Sequence, residues 1–273
     1  MGYGRRVSDE LLQLATRVAT TAAERALTWR TEGVTVTALK SSPTDVVTMA
    51  DQQTEAYLRE EILRARPHDG LLGEEDASVP SRSGLTWVID PIDGTVNYLY
   101  DIPAWAVSVA VVEGDPDPAR WRTLAACVVN PAAGETYAGA AGRGATLNGR
   151  RLHVEPKTGL TTALVATGFG YDAAKRVREA EVLTRVIGHV RDVRRIGAAS
   201  LDLCGVATGR LDAYYESGLN PWDHAGGALI AHEAGAVVGG LEPGTPPTSE
   251  WTLAVNPGLA DDLRTLLREV GPV

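Results

Sequence analysis

The chain has 273 residues, 44% of them hydrophobic and 22% charged. That composition excludes a disordered or collagen-like chain, and the length suits one large domain or two small ones around a sizeable core. With 26 Lys and Arg against 35 Asp and Glu, the net charge is -9. A mean field of that sign repels phosphate, so neither nucleic acid nor an anionic membrane is an expected partner; a small phosphate could still bind where metal cations stand between.

From the N-terminus, the spacing predicts a helix over Ser8 to about Arg30. Leu11, Ala15, Val18, Ala22, Ala26 and Trp29 share one face, and Ser8 reads as the N-cap. A second helix is predicted from about Asp51 to Arg66, stopped by Pro67. Trp87–Ile89, Trp105–Val112, Thr123–Val129 and Glu135–Gly139 read as strands, and Asn148-Gly149 as a turn before Arg151–Val154. The second half alternates. It carries a helix over Ala173–His189, a strand at Arg191–Arg194 and a helix over Ala198–Thr208. A strand over Leu211–Glu216, a helix over Trp222–Ala234, strands at Ala236–Val238 and Thr252–Val255 and a final helix from about Gly258 follow. The glycines near residues 140–155 mark a soft boundary, so the chain is divided into an N-terminal α+β part, 1–148, and a C-terminal α/β part, 149–273.

Cys127 and Cys204 lie far apart, with no CxxC or Cys/His cluster. They read as small buried hydrophobes in a reducing compartment. The N-terminus has no apolar signal core, and the longest apolar stretch, near Ala104–Val112, is too short to span a bilayer. A cytoplasmic protein is expected.

The chemistry concentrates in acidic segments. In Trp87-Val88-Ile89-Asp90-Pro91-Ile92-Asp93-Gly94-Thr95, Pro91 has no N–H to donate, so the chain is expected to leave the sheet there. Asp90 and Asp93 would then share a loop at a strand end, with Gly94 and a short helix from Thr95 offering N–H groups to an anion. Carboxylates beside an anion cradle suit a magnesium phosphatase. Taken singly, each segment has a plainer reading. Asp90 and Asp93 are turn formers, Glu74 and Glu75 a solvated cluster, Asp223 a helix-dipole partner and Asp51 an N-cap.

Together they resemble the inositol monophosphatase family, within the Mg2+-dependent, lithium-sensitive phosphatases. Residues 39–48 (LKSSPTDVVT) are similar to its N-terminal signature, Gly73-Glu74-Glu75 to its metal-binding GEE and Asp90–Thr95 to its DPIDGT motif. Trp222-Asp223-His224-Ala225-Gly226-Gly227 resembles its C-terminal WD motif. The resemblance implies a layered αβαβα sandwich of the inositol monophosphatase and fructose-1,6-bisphosphatase type. It implies two or three Mg2+ ions per site, held by Glu74, Asp90, the Ile92 carbonyl, Asp93 and Asp223. Asp51 and Thr95, with Glu74, would orient and activate the attacking water, and the N–H groups of Gly94 and Thr95 would cradle phosphate. Asp93, Glu216 and the backbone near Ala199 would bind the hydroxyls of a polyol such as myo-inositol 1-phosphate.

It implies a homodimer as well. Histidinol phosphate is the second substrate expectation, and a regulatory role with the transcription machinery the third. The basic run Arg191–Arg195 is the one feature that would serve that role, and in an acidic chain it reads more simply as a solvated sheet edge. His224 follows Asp223 but is a nitrogen donor, which Mg2+ does not favour, so it reads as a neighbour of the site. Tyr171 has two readings, as a lining residue or a surface aromatic.

Overall fold

The computed structural model describes residues 2–33, 36–39 and 46–270. Most of the 39–48 signature lies outside these residues. Helix α1 spans Gly2–Glu32, longer at both ends than expected, so Ser8 lies inside it and is not its cap. Strands β1 (Val36–Leu39) and β2 (Val46–Thr48) form a two-stranded antiparallel sheet, followed by α2 (Met49–Ala65). Next come β3 (Gly70–Gly73), β4 (Leu85–Asp93), the short helix α3 (Thr95–Leu99), β5 (Ala106–Glu113), β6 (Arg122–Asn130) and β7 (Glu135–Ala140). Strands β8 (Gly144–Leu147) and β9 (Arg150–Arg151) complete a seven-stranded sheet in sequential order from β3 to β9.

The second sheet has five strands, in the order β11-β10-β12-β14-β13. It is built from β10 (Leu164–Thr167), β11 (Asp192–Arg194), β12 (Ala213–Glu216), β13 (Val237–Gly239) and β14 (Thr252–Val255). Helices α4 (Ala173–Val186), α5 (Ala199–Ala207), α6 (Pro221–Glu233) and α7 (Ala260–Val270) interleave with it.

Period-two alternation makes the layers. Trp87, Ile89, Val107, Val109 and Val111 pack on α1 and α2, while Val88, Ala106, Ala110 and Val112 face the other way, onto α5 and α6. Strands buried on both faces read as nearly unbroken apolar runs, which is why β5 and β6 were legible. Ala15, Ala19, Ala22 and Ala23 keep one side of α1 flat enough to lie close on the sheet. In the second sheet, Ala166, Tyr214 and Ala254 join the α5/α6 layer, while Val165, Ala213, Tyr215, Leu253 and Val255 face α4 and α7. The result is a helix–sheet–helix–sheet–helix stack, the layered α/β sandwich expected. Cys127 and Cys204 are buried and unbridged. Among the described residues, no helix is long and apolar enough to cross a membrane.

One expectation fails in an informative way. The chain does not leave the sheet at Pro91, because β4 continues to Asp93, which still pairs with Ala106. A register shift between Asp90 and Asp93 absorbs the proline. A bulge supplies a position that needs no ladder N–H, so Pro91 bends the strand without ending it.

Candidate active site

The site begins where neighbouring elements end together. Strands β3 and β4 are parallel, with Gly73 opposite Ile89, so Glu74 leaves its strand beside Asp90. Asp90 shares the parity of Val88 and faces the inner helix layer, where Asp223 lies in the first turn of α6. Burial first, then the negative charges of Glu74, Asp93, Asp223 and Asp51, hold the Asp90 carboxyl well above its usual range. Asp223 is raised by burial and by Glu74 and Asp93. These carboxylates therefore converge, and the charges that act most strongly on Asp90 are all negative.

Each carboxylate is oriented by local backbone. Asp90 Oδ1 accepts from Ile92 N–H at 3.1 Å. Asp223 is the third residue of a capping box on α6, accepting from Asn220 N–H at 2.7 Å, with Pro221 at the first helical position. Asp93 reaches across to α5, whose N-cap residue Ala198 has no capping side chain. It accepts from Ala199 N–H at 3.2 Å and Ser200 N–H at 2.7 Å, and from the Ser200 hydroxyl. A carboxylate at a helix N-terminus is favoured by the dipole. Burial still outweighs these bonds and pushes Asp93 up to about 6. Ala199 borders the cleft, but its N–H is directed to Asp93.

Asp51 and Thr95, 44 residues apart, meet as expected: Thr95 Oγ1 donates toward Asp51 Oδ1 at 3.0 Å, with the Ile92 carbonyl also 3.0 Å away. The other Asp51 oxygen accepts from Thr48 N–H at 2.8 Å and from the Thr48 hydroxyl. Thr48 is the N-cap of α2 and Asp51 its third residue, so the pair also closes a capping box. Burial pushes Asp51 up to about 6, against the lowering by the Thr48 bonds.

Gly94 adopts φ +90° at the start of α3. A methyl there would lie 3.1 Å from the Ala104 carbonyl and 3.2 Å from Ala198 Cβ, so glycine serves both the turn and the close approach of the α5 N-cap.

Sequence reasoning passed over two supports. Glu55, fully buried on α2, accepts from Glu75 N–H and Asp76 N–H, each at 2.9 Å, and thereby clamps the turn that carries Glu74. A methyl at Gly73 would come within 2.5 Å of Glu55 Oε1, so the glycine of GEE makes room for this clamp. Ser200 is the other, as the donor to Asp93. The signal for Glu55 was its place one helical turn after Asp51, on the same buried face.

Among these acids, a cleft of about 450 Å3 opens between Asp93, Gly94, Ala199, Glu216 and Asp223 and the loop Gly168–Asp172. Strands β10 and β12 are parallel, with Thr167 opposite Tyr215, so Gly168 and Glu216 leave together. A side chain on Gly168 would overlap the Glu216 carboxylate. Glu216 accepts from Tyr214 hydroxyl at 2.6 Å. Burial raises it to about 7, against the lowering by that bond and by Arg195. Tyr171 lines the mouth of this cleft and remains exposed. His224 is buried behind Asp223 and faces Trp121; burial lowers it to about 4, so it is neutral.

The donor set offers hard oxygen atoms, buried and mutually repelling, which fits a hard divalent cation. Among the described residues, no three His, Cys, Asp or Glu side chains are drawn close enough to enclose an ion as they stand.

A layered sandwich with an acid-lined cleft at the strand ends defines a class of hydrolase, and the comparisons say which. The family pattern described as "Inositol monophosphatase family" matches residues 7–270. An inositol-1-monophosphatase, SuhB, of Mycobacterium tuberculosis is 48% identical over 238 residues, covering 84% of this chain and 80% of that protein. A protein named Nus factor SuhB from Vibrio cholerae is 37% identical over 203 residues, 74% of each chain. The solved structure of extragenic suppressor protein suhB from Bartonella henselae aligns with a TM-score of 0.86 at 30% identity, covering 95% of this chain and 99% of that one. The chain belongs to the inositol monophosphatase family and is an enzyme of its phosphatase class.

Proposed function

We propose that the chain is a Mg2+-dependent phosphomonoesterase acting on a polyol phosphate such as myo-inositol 1-phosphate. One observation carries the reading: Glu74, Asp93 and Asp223 all act on the buried Asp90, and the strongest charges on Asp90 are all negative. Glu74, Asp90, the Ile92 carbonyl, Asp93 and Asp223 would hold the ions. When bound, Mg2+ supplies a Lewis acid that polarises the phosphate and makes water acidic enough to attack near neutral pH.

The remaining steps belong to this chain's side chains. The Thr95 hydroxyl donates to Asp51, which leaves its oxygen lone pairs to orient a water. As the water attacks phosphorus, its proton passes to Thr95 Oγ1 and the Thr95 proton passes to Asp51, whose carboxyl, raised to about 6, is poised to accept it. The bond between phosphorus and the ester oxygen breaks, the departing alkoxide takes a proton from solvent, and the products are phosphate and the alcohol, with no covalent enzyme intermediate. Gly94 and Thr95 N–H groups cradle the phosphate. Asp93 Oδ1 accepts only Ala199 N–H and keeps a lone pair for a substrate hydroxyl, as Glu216 does from the opposite wall.

The test is phosphate release from myo-inositol 1-phosphate and histidinol phosphate with Mg2+, with and without Li+. Hydrolysis that needs Mg2+ and falls with Li+ is expected, and no hydrolysis of any phosphomonoester overturns the reading. By the same reading the enzyme is a cytoplasmic homodimer, and light scattering tests the dimer. The relative named a Nus factor favours a second reading, a partner in the transcription machinery; co-purification of RNA polymerase with the tagged chain is its test.

A further inference from the structure

The basic run 191–195 divides in the fold. Strand β11 is an edge strand, and Arg194 on it pairs with Asp192 at 2.6 Å, so this part is the solvated edge expected. Arg195 turns the other way, into the cleft. Its guanidinium carbon stands 6.0 Å from the centre of the Phe169 ring. Gly197, at φ +92°, gives it room, since a methyl there would lie 2.5 Å from Arg195 Nη1. Among the described residues the cleft has one other cation, Lys175, which is engaged by the Ser217 carbonyl at 3.1 Å and by Glu179 at 3.6 Å. Among the described residues Arg195 closes no ion pair within 4.0 Å, and it is exposed. Glu216 and Asp202 lie within its field without touching it.

The cleft thus holds both signs of charge. Asp93 and Asp223 lie where the phosphate would be cut. Arg195, beside Gly197 and the Phe169 ring, lines the same cleft with its charge unpaired and free to accept a ligand. We propose that Arg195 is a specificity-determining residue that reads the charge carried by the leaving alcohol. It favours an alcohol carrying a second anionic group, a phosphate or a carboxylate, over a neutral polyol, and it opposes a cationic one. A guanidinium pairs with either anion through two parallel N–H bonds, and the ring beneath it holds its plane. The inference rests on the phosphomonoesterase reading and deepens it.

The experiment compares kcat/KM of the intact enzyme with Mg2+ on three kinds of substrate: myo-inositol 1-phosphate (neutral), fructose 1,6-bisphosphate and 2-phosphoglycerate (anionic), and histidinol phosphate (cationic). Wild type is set beside Arg195→Gln, Arg195→Lys and Arg195→Glu. Ratios between substrates cancel any general effect on the cleft. The anionic-to-neutral ratio is expected to fall about tenfold in Arg195→Gln and further in Arg195→Glu, with Arg195→Lys between wild type and Gln. The cationic-to-neutral ratio is expected to rise in the same order. In wild type the anionic preference should shrink between low and high salt. A ratio that stays within twofold across the series overturns the role of Arg195 while the phosphatase reading stands. Hydrolysis of none of these substrates by wild type overturns both. A fall for the bisphosphate alone, or for the carboxylate alone, identifies which anion Arg195 accepts.

Discussion

The two walls of the cleft solve the problem of buried acid differently. On the wall made by β3, β4 and α6, burial and the charge of Glu74 raise both Asp90 and Asp223, and backbone N–H groups orient those two without neutralising them. On the wall made by β12, Glu216 is a single carboxylate, bonded by Tyr214 and lowered by Arg195. The first wall gathers negative charges alone, while the second has a hydroxyl donor and a nearby guanidinium that partly offset burial. A bound cation is thus an expected structural partner of the first wall, and a hydroxyl ligand suffices for the second.

The largest expected effect tests the first wall. Asp90→Asn should reduce turnover by at least about 10³-fold, because it removes a ligand charge with little change of shape. Isothermal titration with Mg2+ should show the loss of affinity. The metal-free variant should melt at a higher temperature than metal-free wild type at pH 8, because one of several repelling charges has gone. A variant that melts lower would mean the carboxylates are balanced by something other than a metal.

The second prediction follows from linkage. Asp51 and Asp93 are raised to about 6, and Asp90 and Asp223 are raised further above the usual carboxylate range. Between about pH 4 and these raised values, the folded chain binds more protons than the unfolded one, so stability falls as pH rises through that window. Metal-free protein should therefore melt higher at pH 5.5 than at pH 8, by on the order of 5 °C. Saturating Mg2+ should raise the melting temperature more at pH 8 than at pH 5.5, narrowing or reversing the gap. Equal shifts at both values would contradict the picture.

What was legible in the chain follows the same division. The acids of the first wall sit in short windows, where the chemistry demands particular residues side by side, and DPIDGT could be read directly. Their supports could not, because Glu55 acts on a turn 20 residues away and Ser200 donates to an acid 107 residues away. Such pairings follow from how helices stack on a sheet, and no local pattern announces them. Strands β3 and β10 escaped notice because four residues of a parallel strand carry no periodicity of their own. Pro91 misled for the opposite reason: the rule that proline ends a central strand is sound, but a bulge satisfies it without an exit. Arg195 was read with its basic neighbours as a sheet edge, and only the left-handed turn at Gly197 shows why it parts from them.

The support for the first wall gives a third, smaller effect. Glu55→Gln keeps the shape but replaces a carboxylate that accepts from Glu75 N–H, Asp76 N–H and the Arg59 guanidinium with an amide. A loss of about 2 kcal/mol in stability is expected by chemical denaturation, because hydrogen bonds to a charged group are the stronger kind. Activity should fall through weaker Mg2+ binding, so high Mg2+ should restore much of the turnover. If excess metal restored none of it, Glu55 would not be acting through the turn that carries Glu74.

The smallest effect belongs to the second wall, where Tyr214 and Arg195 partly offset the burial of Glu216. Tyr214→Phe removes one hydroxyl, which donates to Glu216 at 2.6 Å, and leaves the ring in place. That bond is one of the influences that lower Glu216, so without it the Glu216 carboxyl should titrate higher than about 7 and be protonated more of the time near neutrality. A protonated Glu216 can donate to a substrate hydroxyl but offers fewer lone pairs to accept from one. The expected result is a rise in KM of about threefold to tenfold for a polyol phosphate at pH 7, with kcat nearly unchanged and the effect shrinking as pH rises. Mg2+ affinity, read by titration, should stay as in wild type, because Tyr214 supports none of the acids of the first wall. Glu216→Gln should move KM in the same direction and lose the pH dependence. If Tyr214→Phe weakened Mg2+ instead, the two walls would form one electrostatic unit, and the separation drawn between them would be wrong.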